Sequence, residues 1–269
     1  MKTIRVVKSG GEWSNLASRT LSGSLTESPG GPLIGLLDSG IAAHQTSHLV
    51  EARSFGVSSE ANQSRRDFQD LLGHGSTLAQ ILVDQVPNVQ ICIARIFDRR
   101  LATSAENAAR GIDWLVSCGV QVINLSFGLR QDRTSLALAC DRALEAGVVL
   151  VASSPAMGEI VYPARYPGVI RVTGDARCQP GEHSWSPSNQ AHFGACVRAG
   201  HERVIGASVA TAYISALVCQ CIQAHSEFLL NPQQLQEWLR QRARFQGAQK
   251  PFSLVPWRRR LTQREDIKS

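Results

Sequence analysis

Residues 33–41 read Leu-Ile-Gly-Leu-Leu-Asp-Ser-Gly-Ile, an apolar run that ends in the acidic residue Asp38. A short and nearly continuous Val/Ile/Leu run is typical of a parallel β-strand that is covered on both faces. A carboxylate at the end of such a strand is costly to bury unless another group donates a hydrogen bond to it. Taken alone, Asp38 fits a turn residue better than a functional acid, because Asp-x-Gly is common in turns. Other segments of the chain must therefore decide its role.

Four further apolar runs of this kind follow, and helical patterns lie between them. Thr103 and Glu106 have the spacing of a capping box at the start of one helix, which Gly119 ends. A second helical pattern covers Leu136–Ala146. This alternation predicts an α/β fold, a mostly parallel and doubly wound sheet with helices on both faces. The predicted strands are Leu33–Leu37, Val89–Ile96, Val120–Leu125, Val148–Ala152 and Val169–Thr173.

Composition limits the class of protein. The 269 residues are 43% hydrophobic and 19% charged, which predicts an ordinary globular protein of one large or two small domains. Seven scattered cysteines, an odd number, favour a reducing compartment over a disulfide framework. No uninterrupted apolar run approaches the roughly 18 residues of a membrane span. The basic N-terminus is not followed by the apolar stretch of a secretory signal. We therefore expect a cytoplasmic protein without a membrane partner.

The net charge of +6 is concentrated near the C-terminus. Residues 240–269 hold nine Lys and Arg against Glu265 and Asp266, which leaves the rest of the chain nearly neutral. We predict an N-terminal extension and linker over 1–32, a main domain over 33–239 and a basic tail over 240–269. The tail could contact an acidic partner. Nucleic-acid binding is not expected, because few aromatic residues interleave the basic ones.

Two other segments carry residues that could act together with Asp38. His74 lies in Gly-His-Gly-Ser-Thr, residues 73–77, at the start of a predicted helix. Ser208 lies in Gly-Ala-Ser-Val-Ala, residues 206–210, and opens an apolar helix whose positive end would favour an oxyanion. Each alone also fits a helix-start histidine or an N-cap serine. A serine nucleophile needs a base, however, and the base needs an acid, and Asp, His, Ser is one known chain order for that arrangement.

With these motifs the chain resembles the subtilisin-like serine proteases, the subtilases, over about residues 33–225. Residues 36–41 look like the Asp motif of the family, 73–76 like its His motif and 206–210 like its Ser motif. Val-Ile-Asn-Leu-Ser-Phe-Gly, residues 122–128, is similar to the strand that pairs with the substrate backbone. The resemblance implies a compact intracellular subtilase whose catalytic domain covers the predicted main domain.

The resemblance also assigns roles to individual residues. It implies a serine endopeptidase in which Ser208 attacks the scissile carbonyl, His74 transfers the proton and Asp38 orients His74. An extended peptide or protein substrate would pair with two segments of the chain. We expect the enzyme to process one specific intracellular peptide or precursor. The predicted substrate-binding residues are Ser126, Phe127 and Gly128 on one side and Ser153 and Ser154 on the other.

The oxyanion region departs from the family pattern. The oxyanion-hole asparagine of the family falls at Ala156, and an alignment shifted by two residues would place Ser154 there instead. The threonine that usually precedes the nucleophile is Ala207. The backbone N–H of Ser208 would remain as a donor. Since losing one side-chain donor costs about 10²–10³ in turnover, we expect low activity.

This departure keeps a second function open, a weak or inactive pseudo-protease that binds a peptide in the inherited cleft. A nucleotide-binding protein is a minor third alternative, because the chain has no phosphate-binding loop. No cofactor and no metal are expected. The short segment over 84–88, where relatives often carry a calcium loop, offers only Asp84, Gln85 and Asn88 as oxygen ligands.

Overall fold

The sheet at the centre of the protein is mostly parallel. The computed structural model describes residues 30–56, 68–200, 204–227 and 231–247. Within these residues the strands are β1 (Leu33–Asp38), β2 (Leu49–Ser54), β3 (Gln90–Arg95), β4 (Val122–Leu125), β5 (Val149–Ser153), β6 (Ile170–Gly174), β7 (His183–Trp185), β8 (Phe193–Ala195) and β9 (Phe245–Gln246). Their order is β2-β3-β1-β4-β5-β6-β8-β7-β9, and β7 pairs antiparallel with β8 while the other pairs are parallel.

Helices cover both faces of this sheet, and each face has its own apolar core. α1, α4 and α5 pack into one core, whereas α2 and α3 pack into the other. A 3-10 helix follows β1 at Ala43–His48. The predicted α/β fold with a mostly parallel, doubly wound sheet is therefore confirmed. The helices are α1 (His74–Gln85), α2 (Ala105–Ser117), α3 (Thr134–Glu145), α4 (Ala207–Ala224) and α5 (Pro232–Arg242).

The sequence predicted the central strands and missed the outer ones. The five predicted strands are present as β1, β3, β4, β5 and β6, with bounds within two residues of the expected ones. β2 lies at the edge of the sheet and is largely exposed. β7, β8 and β9 are two or three residues long, and β7 and β9 include polar side chains. Strands this short are held by backbone pairing, so they carry no long apolar run that the sequence could reveal.

The N-terminal cap of α2 is shifted by one residue from the prediction. The hydroxyl of Ser104 accepts a hydrogen bond from the backbone N–H of Asn107 at 3.1 Å. Thr103 instead points its hydroxyl at the carbonyl of Ser104, at 3.5 Å. Ser104 has extended backbone angles, which bring its side chain over the free N–H groups of the first turn. The expected capping box of Thr103 and Glu106 is therefore wrong by one position.

By length and composition alone, α4 could cross a membrane. The sequence analysis did not predict this, because it considered only uninterrupted apolar runs and α4 includes polar residues. It has 18 residues, and 67% of the helix is buried inside the protein. It lies against α1, β4, β5 and β6. Contact with helix and sheet on several sides accounts for its apolar character, as expected of a helix in a core.

The predicted division of the chain into three parts stays a prediction. Most of the N-terminal extension and of the basic tail lies outside the described residues. The described part of the tail, residues 240–247, includes the end of α5 and all of β9. The change in composition at residue 240 therefore does not coincide with the end of an element.

Three strand ends that carry predicted site residues lie side by side. β1 has β3 on one side and β4 on the other, and β4 is followed by β5. After β1 the chain forms β2 at the sheet edge and then β3 between β2 and β1, and later it adds β4 on the opposite side of β1. Crevices in α/β sheets form outside the carboxyl ends of the strands at such a switch point. Asp38 ends β1, and residues 126–128 and 153–154 follow or end the next two strands.

Replacing Ser104 by Ala is expected to lower the free energy of unfolding by about 1 kcal/mol, because one N–H group in the first turn of α2 loses its acceptor. Urea unfolding followed by circular dichroism measures this change. The matched variant Thr103→Ala should change the stability by less than about 0.5 kcal/mol. A larger loss in Thr103→Ala than in Ser104→Ala would contradict the assignment of the cap.

Candidate active site

A buried acid and a histidine meet at the carboxyl end of β1. Asp38 is fully buried, and His74, the first residue of α1, is 8% exposed. The ring Nδ1 of His74 and the Oδ1 of Asp38 are 2.7 Å apart, within hydrogen-bond distance. The same oxygen accepts hydrogen bonds from the backbone N–H of Ser39 at 2.7 Å and from its hydroxyl at 3.1 Å. These donors all reach Oδ1 and offset part of the cost of burying the carboxylate, whereas the buried Oδ2 has no hydrogen-bond partner among the described residues.

The start of α1 fits closely against the segment that follows β1. A Cβ atom on Gly75 would lie 2.3 Å from the carbonyl oxygen of Gly40, so position 75 has no room for a side chain. The backbone N–H of Gly75 donates a hydrogen bond to the hydroxyl of Ser39 at 2.9 Å. Ser39 therefore links both partners, Asp38 and the first turn of α1. The glycine after His74 is explained by this close approach.

Asp70 holds the loop that leads into α1, and sequence reasoning missed it. Its Oδ1 accepts hydrogen bonds from the backbone N–H groups of Leu72 and Gly73 at 2.9 and 2.8 Å. Its Oδ2 accepts from the N–H and the hydroxyl of Ser76 at 2.8 and 2.6 Å. Burial opposes ionisation, but the hydrogen bonds from Ser76 and Leu72 outweigh it and lower the pKa of Asp70. The sequence feature that could have indicated this role is the position of Asp70, an acidic residue three positions before the Gly-His-Gly motif.

The environment of His74 favours its protonated form. Burial of the ring opposes the charge, but the hydrogen bond and charge of Asp38, with the charge of Asp70, outweigh burial and raise the pKa of His74 above 6.5. The stabilisation of the fold by protonated His74 is therefore complete at pH values below the unfolded pKa. It is lost as the pH rises through the raised pKa of the folded state.

Ser208 is the second residue of α4 and is half-buried. It follows Gly206, whose φ of 98° and ψ of −149° suit glycine rather than residues with a side chain. The Ser208 hydroxyl donates a hydrogen bond to the carbonyl oxygen of Ser126 at 3.5 Å. In the part of the chain that is described, no hydrogen bond joins Ser208 to His74. The structure thus brings Asp38 and His74 into contact and holds Ser208 against the segment after β4.

A chain of buried polar groups joins α4 to that segment. Ser215 lies about two helical turns after Ser208 in α4. Its hydroxyl donates a hydrogen bond to Oδ1 of Asn124 at 3.0 Å. Nδ2 of Asn124 donates to the hydroxyl of Ser126 at 2.9 Å, and that hydroxyl donates to the carbonyl of Ser208 at 3.4 Å. Asn124 and Ser215 are fully buried. The sequence analysis assigned Asn124 no role, although a side-chain amide within an otherwise apolar strand could have indicated one.

The predicted substrate-binding segments lie at neighbouring strand ends. Residues 126–128 continue from β4, and Phe127 and Gly128 make no backbone hydrogen bond to any described residue. Ser153 ends β5, and the N–H of Ser154 donates to the carbonyl of Val172 at 2.7 Å. Free backbone groups over 127–128 can pair with an added strand. The pairing with a peptide stays a prediction.

The two residues considered for the oxyanion region lie in different environments. Ala156 is exposed, and its methyl group offers no hydrogen-bond donor. Ser154 is 1% exposed, and its hydroxyl has no partner among the described residues. The first backbone bond of α4 runs from the N–H of Ala210 to the carbonyl of Gly206 at 3.1 Å, so the N–H of Ser208 at the helix start has no acceptor in the described chain.

Comparison with known proteins shows to which family the chain belongs. The model of the subtilase family, peptidase S8, matches residues 30–257. The chain belongs to the subtilase family. The resemblance that the three motifs indicated is thereby confirmed, whereas the compact intracellular type and the catalytic roles of Asp38, His74 and Ser208 stay predictions.

Named relatives of this subtilase are proteases. The thermostable alkaline protease of Halalkalibacterium halodurans is 31% identical over 153 residues, which make up 53% of this chain and 41% of that protein. Subtilisin DY of Bacillus licheniformis is 30% identical over 154 residues, 52% of this chain and 54% of the relative. Subtilisin Savinase of Lederbergia lenta is 28% identical over 166 residues, 58% of this chain and 57% of the relative. The chain thus spans about half the length of these relatives.

The segment over 84–88 is where the resemblance raised the question of calcium, and two of its oxygen atoms accept hydrogen bonds from glutamine side chains. Oδ1 of Asp84 accepts a hydrogen bond from Gln80 at 2.7 Å, and the carbonyl of Gln85 accepts one from Gln220 at 2.8 Å. Calcium takes six to eight oxygen ligands. Over the described ranges no group of three or more His, Cys, Asp or Glu side chains could hold a metal ion. The expected absence of metals and cofactors stays a prediction.

Replacing Asp38 by Asn is expected to lower the pKa of His74, because the carboxylate charge disappears while the burial of the ring remains. An NMR titration of the His74 ring signals measures the change. The control Asp113→Asn removes an exposed carboxylate that pairs with Arg142, and it should leave the pKa of His74 unchanged. An equal pKa of His74 in the wild type and in Asp38→Asn would contradict the pairing.

Proposed function

We propose that this subtilase is a serine endopeptidase that hydrolyses peptide bonds with Asp38, His74 and Ser208. One observation carries the proposal, the 2.7 Å hydrogen bond between the buried carboxylate of Asp38 and the ring of His74. A buried acid that fixes the tautomer of a histidine is the arrangement that a general base requires. The protease relatives support the same reaction class. The hydroxyl of Ser208 lies against Ser126, which follows the strand next to β1.

In the proposed reaction the oxygen of Ser208 bonds to the carbonyl carbon of the peptide, and its proton passes to Nε2 of His74. Asp38 accepts the hydrogen bond from Nδ1 and stabilises the imidazolium that forms. The tetrahedral intermediate collapses, and His74 donates the proton to the nitrogen of the leaving amine. Water then attacks the acyl-enzyme, with His74 again as the base, and releases the carboxylic acid and free Ser208.

The reaction requires the hydroxyl of Ser208 to leave the carbonyl of Ser126 and to reach Nε2 of His74. Its present hydrogen bond to the carbonyl of Ser126 is long, at 3.5 Å, and is therefore weak. Rotation about the Cα–Cβ bond moves the hydroxyl between staggered positions. Catalytic hydrogen bonds commonly tighten only when substrate binds. The polar chain through Asn124 would meanwhile hold the backbone of Ser208 in place.

We propose that turnover is slow, because the oxyanion receives few donors. Ala156 supplies none, and the Ser154 hydroxyl is buried. The backbone N–H of Ser208, at the positive end of α4, would carry most of this stabilisation. A slow enzyme suits the cleavage of one specific precursor better than bulk digestion. A specific substrate makes contacts remote from the cleaved bond, and the binding energy of these contacts can lower the barrier of the reaction.

We propose further that the substrate is an intracellular peptide or protein and that the enzyme works in the cytoplasm. The seven cysteines support this location, because all of them are free thiols, six of them buried and Cys118 half-buried. Reduced thiols are typical of the cytosol. The peptide would add as an extended strand to residues 126–128.

Labelling with a fluorophosphonate probe tests the reaction. The folded wild type should incorporate one probe per chain at Ser208, because only an activated serine attacks this phosphorus centre at an appreciable rate. Ser208→Ala should abolish labelling, and the control Ser135→Ala, on α3, should preserve it. Mass spectrometry of the labelled peptide identifies the site. A folded wild type that stays unlabelled would exclude the hydrolase and leave the peptide-binding pseudo-protease, which Ala156 favours.

Replacing Ala156 by Asn is expected to raise kcat for a peptide ester about tenfold or more, because a side-chain amide restores part of the missing stabilisation. Steady-state kinetics measures the gain. Ala156→Leu adds similar bulk without a donor and should give no increase. A gain in neither variant would show that position 156 does not face the oxyanion.

A further inference from the structure

A cavity of about 490 Å³ lies beside the two predicted substrate segments. Pro155, on one wall, directly follows Ser154, and Arg130, on another, lies two residues beyond Gly128. Val161 connects the walls, since a Cβ on Gly128 would lie 2.4 Å from its Cγ2 atom. The cavity therefore opens where a peptide bound along 126–128 would project a side chain. Its volume is sufficient for a long side chain.

The charges on the cavity walls are unequal. Arg130 and Arg165 supply two guanidinium groups, and Glu159 supplies one carboxylate. Among the described residues neither arginine forms an ion pair, and Glu159 forms none either. Arg165 lies over the ring of Tyr162, 5.9 Å from its centroid. The cavity thus carries net positive charge that is not neutralised within the described protein.

Arg130 also lines a second cavity of about 490 Å³. That cavity includes Arg133 and Glu106, whose opposite charges attract each other. Successive side chains of an extended peptide point to opposite faces. Because Arg130 lines both cavities, it would be within reach of more than one side chain of a peptide bound along 126–128.

The apolar part of the first cavity strengthens the interaction with a charged group. Met157 is 85% exposed, and Val161 and Pro155 add further apolar wall. A peptide that covers Met157 would exclude water from the mouth of the cavity. Charge-assisted hydrogen bonds strengthen as water leaves, and guanidinium groups bind carboxylates with two parallel N–H donors.

We propose that this cavity selects an acidic side chain in the bound peptide, with Arg130 as the principal and Arg165 as the second specificity-determining residue. The inference rests on the proposed peptide cleft but not on hydrolysis. It defines the substrate class as an acidic peptide or an acidic segment of a protein. Glu159 lowers the positive charge of the cavity and limits the preference.

Peptide binding to Ser208→Ala, which cannot cleave the probe, tests this inference. Fluorescein-labelled alanine-rich octapeptides carry one Glu, Gln or Lys that is moved through successive positions, and fluorescence anisotropy gives Kd. At one position the Glu peptide should bind roughly fivefold tighter than the Gln peptide at low ionic strength, as expected for a charge pair at a partly exposed site. The preference for the Glu peptide should shrink at about 0.5 M salt, because salt at this concentration screens the attraction between exposed charges.

Variants in this background assign the effect. Arg130→Gln should bring the Glu and Gln peptides to within about twofold of each other, and Arg165→Gln should reduce the preference in part. Arg130→Lys keeps the charge without the planar fork and should retain some preference. The control Arg142→Gln removes an exposed arginine of α3 that pairs with Asp113, and it should leave the preference unchanged.

The outcomes separate this inference from the proposed reaction. A Glu preference that Arg130→Gln removes supports the inference, even if the fluorophosphonate probe fails to label the wild type. Labelling and hydrolysis without any Glu preference would overturn the inference alone. A Lys preference that Glu159→Gln abolishes would also overturn it, because Glu159 would then dominate the cavity. Binding of no peptide at any position would contradict both the cleft and its acidic selectivity.

Discussion

The carboxylate of Asp38, fully buried at the carboxyl end of β1, constrains the segments around it, because a buried charge must be surrounded by donors. Ser39 provides two donors to Oδ1, and the ring of His74 is within hydrogen-bond distance of the same atom. α1 must therefore begin at His74 and lie close enough to β1 that position 75 has no room for a side chain. The loop before α1 is in turn ordered by hydrogen bonds to Asp70.

The sheet supplies the rest of the geometry through the order of its strands. β4 lies next to β1, so the segment after β4 runs beside the Asp38–His74 pair. α4 packs on the same face as α1, and its buried Ser215 reaches Asn124 in β4. The position of Ser208 is therefore coupled to the packing of the core. Exchange of Asn124 for an apolar residue would leave the hydroxyl of Ser215 and that of Ser126 without these partners.

In the proposed enzyme, the recognition of the peptide and the chemistry would be divided between different parts of the cleft. Backbone groups over 127–128 are suited to any extended peptide, and they carry no selectivity for side chains. The cavity beside them, lined by Arg130 and Arg165, is where a side chain would be discriminated. A weak oxyanion site and a selective side-chain cavity belong together in the proposed enzyme, since binding energy from remote contacts can lower the barrier of a slow reaction.

Local pattern was enough to establish the central strands, the starts of α1 and α4, and the ordered Asp, His and Ser motifs that indicated the family. Each of these is written in neighbouring residues, as an apolar run, a helical period or a short motif. The edge strands β2, β7, β8 and β9, the cap at Ser104 and the polar chain from Ser215 to Ser126 required the folded chain. Ser215 and Asn124, which share a hydrogen bond, are 91 residues apart in the sequence. Arg130 and Arg165 come from different segments and line the same cavity. Such contacts depend on which distant segments the crossover connections bring together. A local pattern of apolar residues carries no information about this arrangement.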